Sequence, residues 1–249
     1  MNYYQISHHA SSQIGNHEGL LYLQSLCQTS GKILDVGCGE GTRLKTLLPA
    51  GKRGWGIDPS VIAITKAKKQ YPRHYFRVGL GEQLPYSDNN FDFVYSAFAI
   101  EHCSDPELFI REMIRVCRPG GRIAILAPNY GAPSRRSPNS IESPYNKFFE
   151  GLVFDLIPRP GLVWRQVTPQ KKYTQIDADT TWEPYLGSLI HYLKPACRQA
   201  GLTIEKFSSL WNLEPETQNP RHLIIRKLGQ LEIRPFIYWG PQLFVVAVK

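Results

Sequence analysis

This 249-residue chain lacks a long apolar run and lacks cysteine pairs at metal-binding spacing. No stretch approaches the roughly 20 apolar residues needed to span a bilayer. The opening MNYYQISHH has neither the basic start nor the apolar core of a secretion signal. Its five cysteines, Cys27, Cys38, Cys103, Cys117 and Cys197, are odd in number, scattered and free of CxxC spacing. That pattern argues against a disulfide framework and against zinc, and it favours a reducing, cytoplasmic setting. No His/Asp/Glu cluster has ligand spacing, so no metal is expected. There is no internal repeat, no low-complexity segment and no basic cluster interleaved with aromatics: Arg135-Arg136, Lys171-Lys172 and Arg226-Lys227 are only pairs. The 29 Lys and Arg against 21 Asp and Glu give +8, too diffuse for a nucleic-acid footprint, although the field favours anionic partners.

What is present is a globular composition, 42% hydrophobic and 20% charged, sufficient for one domain with a full core. Through residue 129, short β-rich runs alternate with helical patterns, the signature of βαβ units and a parallel sheet. Strands are expected at Lys32–Val36, Arg53–Ile57, Tyr75–Val78, Phe91–Ser96 and Arg122–Ala127. Leu44, Leu47 and Leu48 mark one helix face, stopped by Pro49; Asp58-Pro59-Ser60 opens a second helix, with proline in its first turn, and Asp105-Pro106-Glu107 a third. After Pro128 the chain turns proline- and aromatic-rich, and residues 130–185 read as an inserted cap over the carboxyl ends of the strands. A helix near 187–200, a strand Leu202–Phe207, a helical stretch near His222–Leu228 and a last strand Gln242–Val248 complete the expectation.

The segment Ile33-Leu34-Asp35-Val36-Gly37-Cys38-Gly39-Glu40-Gly41 ends a buried strand with glycines at alternate positions, which allow positive φ and close approach of a ligand. Alone it is a weak signal, since a plain tight turn also uses glycine. Asp58, about 20 residues on at the end of the next strand, is placed to take both hydroxyls of a ribose. A dinucleotide site would use Gly-x-Gly-x-x-Gly under a pyrophosphate; here the spacing is Gly-x-Gly-x-Gly, and the preceding Asp35 suits a ligand with a cationic or amino-acid portion better.

With these residues the sequence resembles the class I S-adenosylmethionine-dependent methyltransferases, in particular the ubiquinone/menaquinone-biosynthesis-type group. The matching residues are Leu34–Gly41, Gly56–Ser60, Gly81–Tyr86 with Asn90–Val94, Glu101–Pro106 and Arg115–Gly121. The resemblance implies a Rossmann-like α/β fold: a seven-stranded, mostly parallel sheet of order 3-2-1-4-5-7-6, the last strand antiparallel, flanked by helices. An N-terminal helical segment over 1–30 is expected ahead of the sheet, with the cap at 130–185 inserted after its fifth strand. In the site the resemblance implies that Asp35, Gly37, Cys38, Gly39 and Gly41 cradle the methionine and ribose portions of S-adenosylmethionine, and that Asp58, next to Pro59, holds the ribose diol. Gly81, Glu82 and Gln83 would lie along the adenine edge, and Ala97 to His102 would border the sulfonium and the acceptor. Where the family often has Gly-Asp-Ala-Glu, this chain has Gly79-Leu80-Gly81-Glu82, so an aspartate for the adenine amino group is missing.

His102 is the candidate general base, set against a structural or pocket-lining role. His8, His9 and His17 could fold over the cofactor or simply face solvent, and Arg135-Arg136 could hold an anionic group or be a solvated pair. The aromatics of the cap could be an acceptor platform or the cap's own core, and Phe148–Phe154 leaves peripheral membrane contact open. The expected function is methyl transfer, favouring oxygen, to a small or lipid- or glycan-linked metabolite, with S-adenosylhomocysteine as the other product. A non-catalytic cofactor-binding partner protein is the competing reading. A nucleic-acid methyltransferase is disfavoured, because Asn129-Tyr130 follows strand five rather than strand four and no basic appendage is seen. The sequence says nothing of oligomeric state.

Overall fold

The computed structural model describes residues 14–133, 135–157, 161–169, 179–215 and 218–249. His8, His9, Lys171 and Lys172 lie outside the described residues. Within them, helix α1 (Glu18–Thr29) precedes β1 (Ile33–Val36), α2 (Thr42–Leu47), β2 (Trp55–Asp58), α3 (Val61–Gln70), β3 (Tyr75–Val78) and β4 (Phe91–Ala97). A 3-10 turn at Ile100–His102 leads to α4 (Pro106–Val116) and β5 (Cys117–Pro128). Then come α5 (Pro144–Leu156), the two-residue strands β6 (Arg165–Gln166) and β7 (Trp182–Glu183), α6 (Leu186–Ala200), β8 (Thr203–Ser208), α7 (Pro220–Gln230) and β9 (Gln242–Val248).

Seven strands form one sheet of order β3-β2-β1-β4-β5-β9-β8. The pairs from β3 to β5 are parallel, and β9 runs antiparallel to both its neighbours. This is the expected topology, the two small cap strands accounting for the shifted numbers. Side chains alternate across the sheet with period two. Ile33, Phe93, Tyr95, Ala124, Leu126, Phe244 and Val246 join the layer of α1 to α3. Leu34, Val36, Val94, Ile123, Ile125 and Val245 join the layer of α4 and α6. Both faces of the central strands are therefore dry, which is why β1 and β4 read as apolar runs.

Helix starts follow local chemistry. Asp105 caps α4 by accepting from the Leu108 amide at 3.0 Å, with Pro106 as its first residue. For α3 the cap is Ser60, accepting from Ala63 N at 3.2 Å, so Pro59 stands just before the helix rather than inside its first turn. Strand β5 likewise begins at Cys117, ahead of the expected Arg122, because Cys117 pairs with Phe91 before the register shifts at Phe93.

The segment after β5 is anchored by Asn129. Its buried amide nitrogen donates to Tyr238 O (2.7 Å) and Gly240 O (2.8 Å), and its oxygen accepts from Leu186 N (2.9 Å). One side chain thereby ties the exit of β5 to the start of α6 and to the turn before β9, a positioning task that leaves no amide group for chemistry. Beyond it, α5 packs Phe148 against Trp239, and Lys147 forms an ion pair with Glu183 of β7.

Candidate functional site

Strand order reverses direction between β1 and β4, and in open α/β sheets a ligand binds where the carboxyl ends flank such a switch. Four strand ends meet there: Val36, Asp58, Ala97 and Pro128. The loop after β1 turns sharply, with Gly37, Gly39 and Gly41 at φ +82°, +53° and +77°. The amides of Gly37 and Cys38 both donate to Ile57 O, at 2.8 and 3.0 Å, which clamps the loop to β2. The three glycines serve different ends. A Cβ on Gly37 would run into Ala99, and one on Gly41 would lie 2.6 Å from the Phe76 ring, so these two are fixed by packing. A Cβ on Gly39 would meet nothing within 4 Å. Its left-handed turn therefore opens onto space rather than onto protein.

Asp58 holds the other side of this space. One carboxylate oxygen accepts from Gly39 N at 2.9 Å and the other from Ser60 N at 2.9 Å. A carboxylate has about four lone-pair sites, so acceptor capacity remains for hydroxyl groups. Burial raises the Asp58 pKa above the usual carboxylate value, while the Ser60 and Gly39 amides and the charge of His102 counteract it. Asp35 is sealed under the loop, and burial pushes its pKa up to about 7, opposed by the Arg43 guanidinium and the Tyr95 hydroxyl. Neither Asp35 oxygen has a well-aligned hydrogen-bond partner among the described residues. Cys38 is buried, and burial drives its thiol well above the ordinary value.

Arg43, on α2, was not singled out by the sequence. It reaches across to donate to Ala97 O at 2.6 Å and lies over the Phe98 ring at 5.1 Å. Phe98 itself has φ +56°, a left-handed turn for a bulky residue, and so the chain leaves β4 bent toward the 3-10 turn of Ile100–His102. His102 is 23% exposed, its Nδ1 3.5 Å from Asp179 Oδ1 and its Nε2 3.8 Å from Oε1 of the buried Glu101. Asp179 comes from the cap, 77 positions downstream of His102, with no local signal that could have found it. Thr181 and Trp182, beside it, donate to Glu101 O and Cys103 O at 3.0 Å, so the cap is sewn to the segment after β4.

The adenine-edge candidates divide. Gly81 is buried where a Cβ would strike Phe109 of α4. Glu82 accepts from Ser104 N at 2.6 Å, which engages its carboxylate in the turn before α4. Gln83 and Leu80 are exposed, and Pro59 is exposed beside Asp58. The two neighbouring arginines part ways: Arg135 is half-buried and pairs with Glu214, whereas Arg136 is exposed and donates to Glu142 O at 2.7 Å. His17 caps α1 and bonds Gln242 at 2.7 Å, so it is part of the framework. Farther into the cap, Phe149, Val153, Phe154, Val163, Trp164 and Tyr185 line a groove of about 550 Å³ with the Lys147–Glu183 pair in its wall. Among the described residues no three His, Cys, Asp or Glu side chains are grouped as for a metal ion. No helix among them is long and apolar enough to cross a membrane.

Comparison with known proteins fits this geometry. Residues 34–125 match a family described as a methyltransferase domain. The chain is 30% identical over 166 residues to a malonyl-[acyl-carrier protein] O-methyltransferase of Erwinia billingiae, covering 61% of this chain and 64% of that protein. It is 35% identical over 94 residues to a demethylmenaquinone methyltransferase of Streptomyces griseus, covering 38% of this chain and 41% of that protein. The chain thus spans less than two thirds of the length of either relative. Among solved structures, an S-adenosylmethionine-dependent methyltransferase from Mesorhizobium loti superposes with TM-score 0.57 at 18% identity, covering 94% of this chain and 100% of that one. Residues 34–125 accordingly match a methyltransferase-domain family, and the chain shares the fold of that solved S-adenosylmethionine-dependent methyltransferase.

Proposed function

We propose that this protein transfers the methyl group of S-adenosylmethionine to an oxygen of a small or lipid- or glycan-linked metabolite, by direct transfer. The observation that carries the reading is the glycine loop: Gly39, at φ +53°, faces open space beside a buried acid and a carboxylate with acceptor capacity to spare. That donor set fits the cofactor. Asp58 would take its ribose hydroxyls, the Gly37–Gly41 backbone would line its amino-acid and ribose portions, and Asp35 would favour its cationic amino group. Bound there, S-adenosylmethionine supplies an electrophilic methyl group.

The protein's own contribution is alignment and proton handling. His102 stands beside the cap with the Asp179 carboxylate facing its Nδ1 and the buried Glu101 carboxylate facing its Nε2, an arrangement that orients the ring and supports it as the group that takes an acceptor proton. The apolar groove of the cap supports an acceptor with an aromatic or aliphatic portion.

The test is incubation of the purified chain with labelled cofactor and cell extract fractionated into lipid, glycan and small-molecule pools. Label in one pool, with S-adenosylhomocysteine formed in step, is the expected result. Tight cofactor binding with no labelled product from any pool would favour the non-catalytic partner reading. His102→Ala should slow turnover by about 10²-fold if the ring is the base. Asp179→Asn should shift the pH profile of kcat without a comparable change in cofactor affinity.

A further inference from the structure

Helix α7 turns aliphatic side chains outward. Its inner side is satisfied: Ile225 packs on the core, His222 lies 2.9 Å from Glu214, and Gly229 is pressed so closely on the Trp211 indole that no Cβ would fit. The opposite side presents Leu223 and Ile224, 46% and 60% exposed, and the chain continues through Leu231 at 62% and Ile233 at 43%. At 3.6 residues per turn Leu223, Ile224, Lys227 and Leu231 fall on this one outward side.

The charges around it are nearly all positive: Arg221, Arg226, Lys227 and Arg234 against Glu232 alone between residues 220 and 234. None of these four cations is paired with a carboxylate among the described residues. Elsewhere Arg115, Arg118, Arg122, Arg135 and Arg165 each hold an acid. A second apolar ridge, Tyr145, Phe149, Val153 and Ile157 on α5, is also exposed. Beside it, however, Arg165 is bridged to both Glu142 and Glu150 and Lys147 is buried against Glu183, so these cations are already matched by acids. Charge separates the two ridges.

We propose that the outward face of α7 docks on an anionic lipid surface. Eleven residues make a helix of about 16 Å, too short for apolar burial alone to hold a protein on a membrane. Such a helix needs a second signal, and unpaired cations beside a negatively charged surface provide one. Lys227, in the middle of the aliphatic side, can lay its methylenes among Leu223, Ile224 and Leu231 while its ammonium reaches the headgroups. The inference stands apart from the methyl-transfer reading, since it uses none of the same residues.

The test is co-sedimentation of the full chain with vesicles of phosphatidylcholine alone and of phosphatidylcholine mixed with phosphatidylglycerol. Retention on the mixed vesicles only, falling with added salt, is expected. Ile224→Asp with Leu231→Asp should abolish it, and Arg221→Gln or Lys227→Gln should each weaken it about fivefold. Calorimetric titration with S-adenosylhomocysteine should be unchanged in these variants, which keeps a failure here distinct from a failure of the cofactor reading. No retention of the native chain, equal retention on neutral vesicles, or retention that ignores the α7 substitutions would each overturn the proposal. So would a lipid-free dimer, seen by sedimentation velocity, that Ile224→Asp dissolves, because the face would then belong to a second copy of the chain.

Discussion

Asp35 couples the glycine loop to pH. Its carboxyl ionises near 4 in an unfolded chain but only at about 7 when sealed under the loop, so the folded protein holds this proton more tightly. The stability this contributes is complete below about pH 4 and is lost as pH rises through about 7, with a slope approaching 1.4 kcal/mol per pH unit in between. Asp155, raised by burial to about 6, acts in the same sense. Urea melts of Asp35→Asn should therefore lose much of the decline between pH 5 and pH 8 that the native chain shows. A cationic ligand group beside Asp35 reverses the preference, so cofactor binding near pH 7 should release protons, read as a buffer-dependent calorimetric enthalpy that Asp35→Asn removes. The neighbouring residues separate ligand from framework. Gly39→Val should leave a folded protein, at a backbone cost of about 1–2 kcal/mol, that no longer binds S-adenosylhomocysteine. Gly37→Val should fail to fold, because its Cβ collides with Ala99. Asp58→Ala should weaken binding by about 1–3 kcal/mol. It should also lower the melting temperature, since Gly39 N and Ser60 N lose their acceptor together.

Among the elements, the cap holds the most consequential contact that local patterns do not announce. Lys147 of α5 and Glu183 of β7 are buried together, 36 residues apart, with Ser137 and Tyr130 O completing their hydrogen bonds. Removing one partner strands the other charge in an apolar setting, so Lys147→Met should cost about 3–5 kcal/mol, whereas Lys147→Met with Glu183→Leu should recover most of it. Thermal melts of the two variants decide this. The contrast with the sheet explains what could be read from the chain alone. Strands β1 to β5 and their helices follow from periods of two and 3.6, from Asp105 as a cap and from the loop glycines, all signals within a few residues of what they specify. Asp35, Gly39 and Asp58 were legible for the same reason, since one strand end and the next carry them. Arg43 over Phe98, Asp179 beside His102 and the clip made by Asn129 join positions 55 to 111 apart, and no period or motif encodes such pairings. Proline after Asp58 misplaced the start of α3 by two residues because the Ser60 hydroxyl supplies the stronger cap.

At the scale of the whole molecule, the sheet is the shared wall of two core layers, and β9 lies between β5 and β8 near one edge. Neither layer can open without exposing the apolar face of the same strands, so the sheet and its helices should melt together. The cap is bound into this unit by Asn129, by the Trp182 indole on Cys103 O and by Trp239, whose indole donates to Asp155 of α5 at 2.7 Å. A ligand gripped only at the ends of β1 and β2 should consequently stabilise everything at once. At S-adenosylhomocysteine one hundred times its Kd, the gain is about 2.7 kcal/mol. For a chain of this size that gain raises Tm by roughly 5–10 °C. Hydrogen exchange locates the effect: slowly exchanging amides of α5 should gain the same protection factor as those of β1, and Gly39→Val should remove both gains together. Protection that rises in β1 while α5 stays unchanged would make the cap a separately opening unit, and its closure would then have to be driven by the acceptor rather than inherited from the sheet.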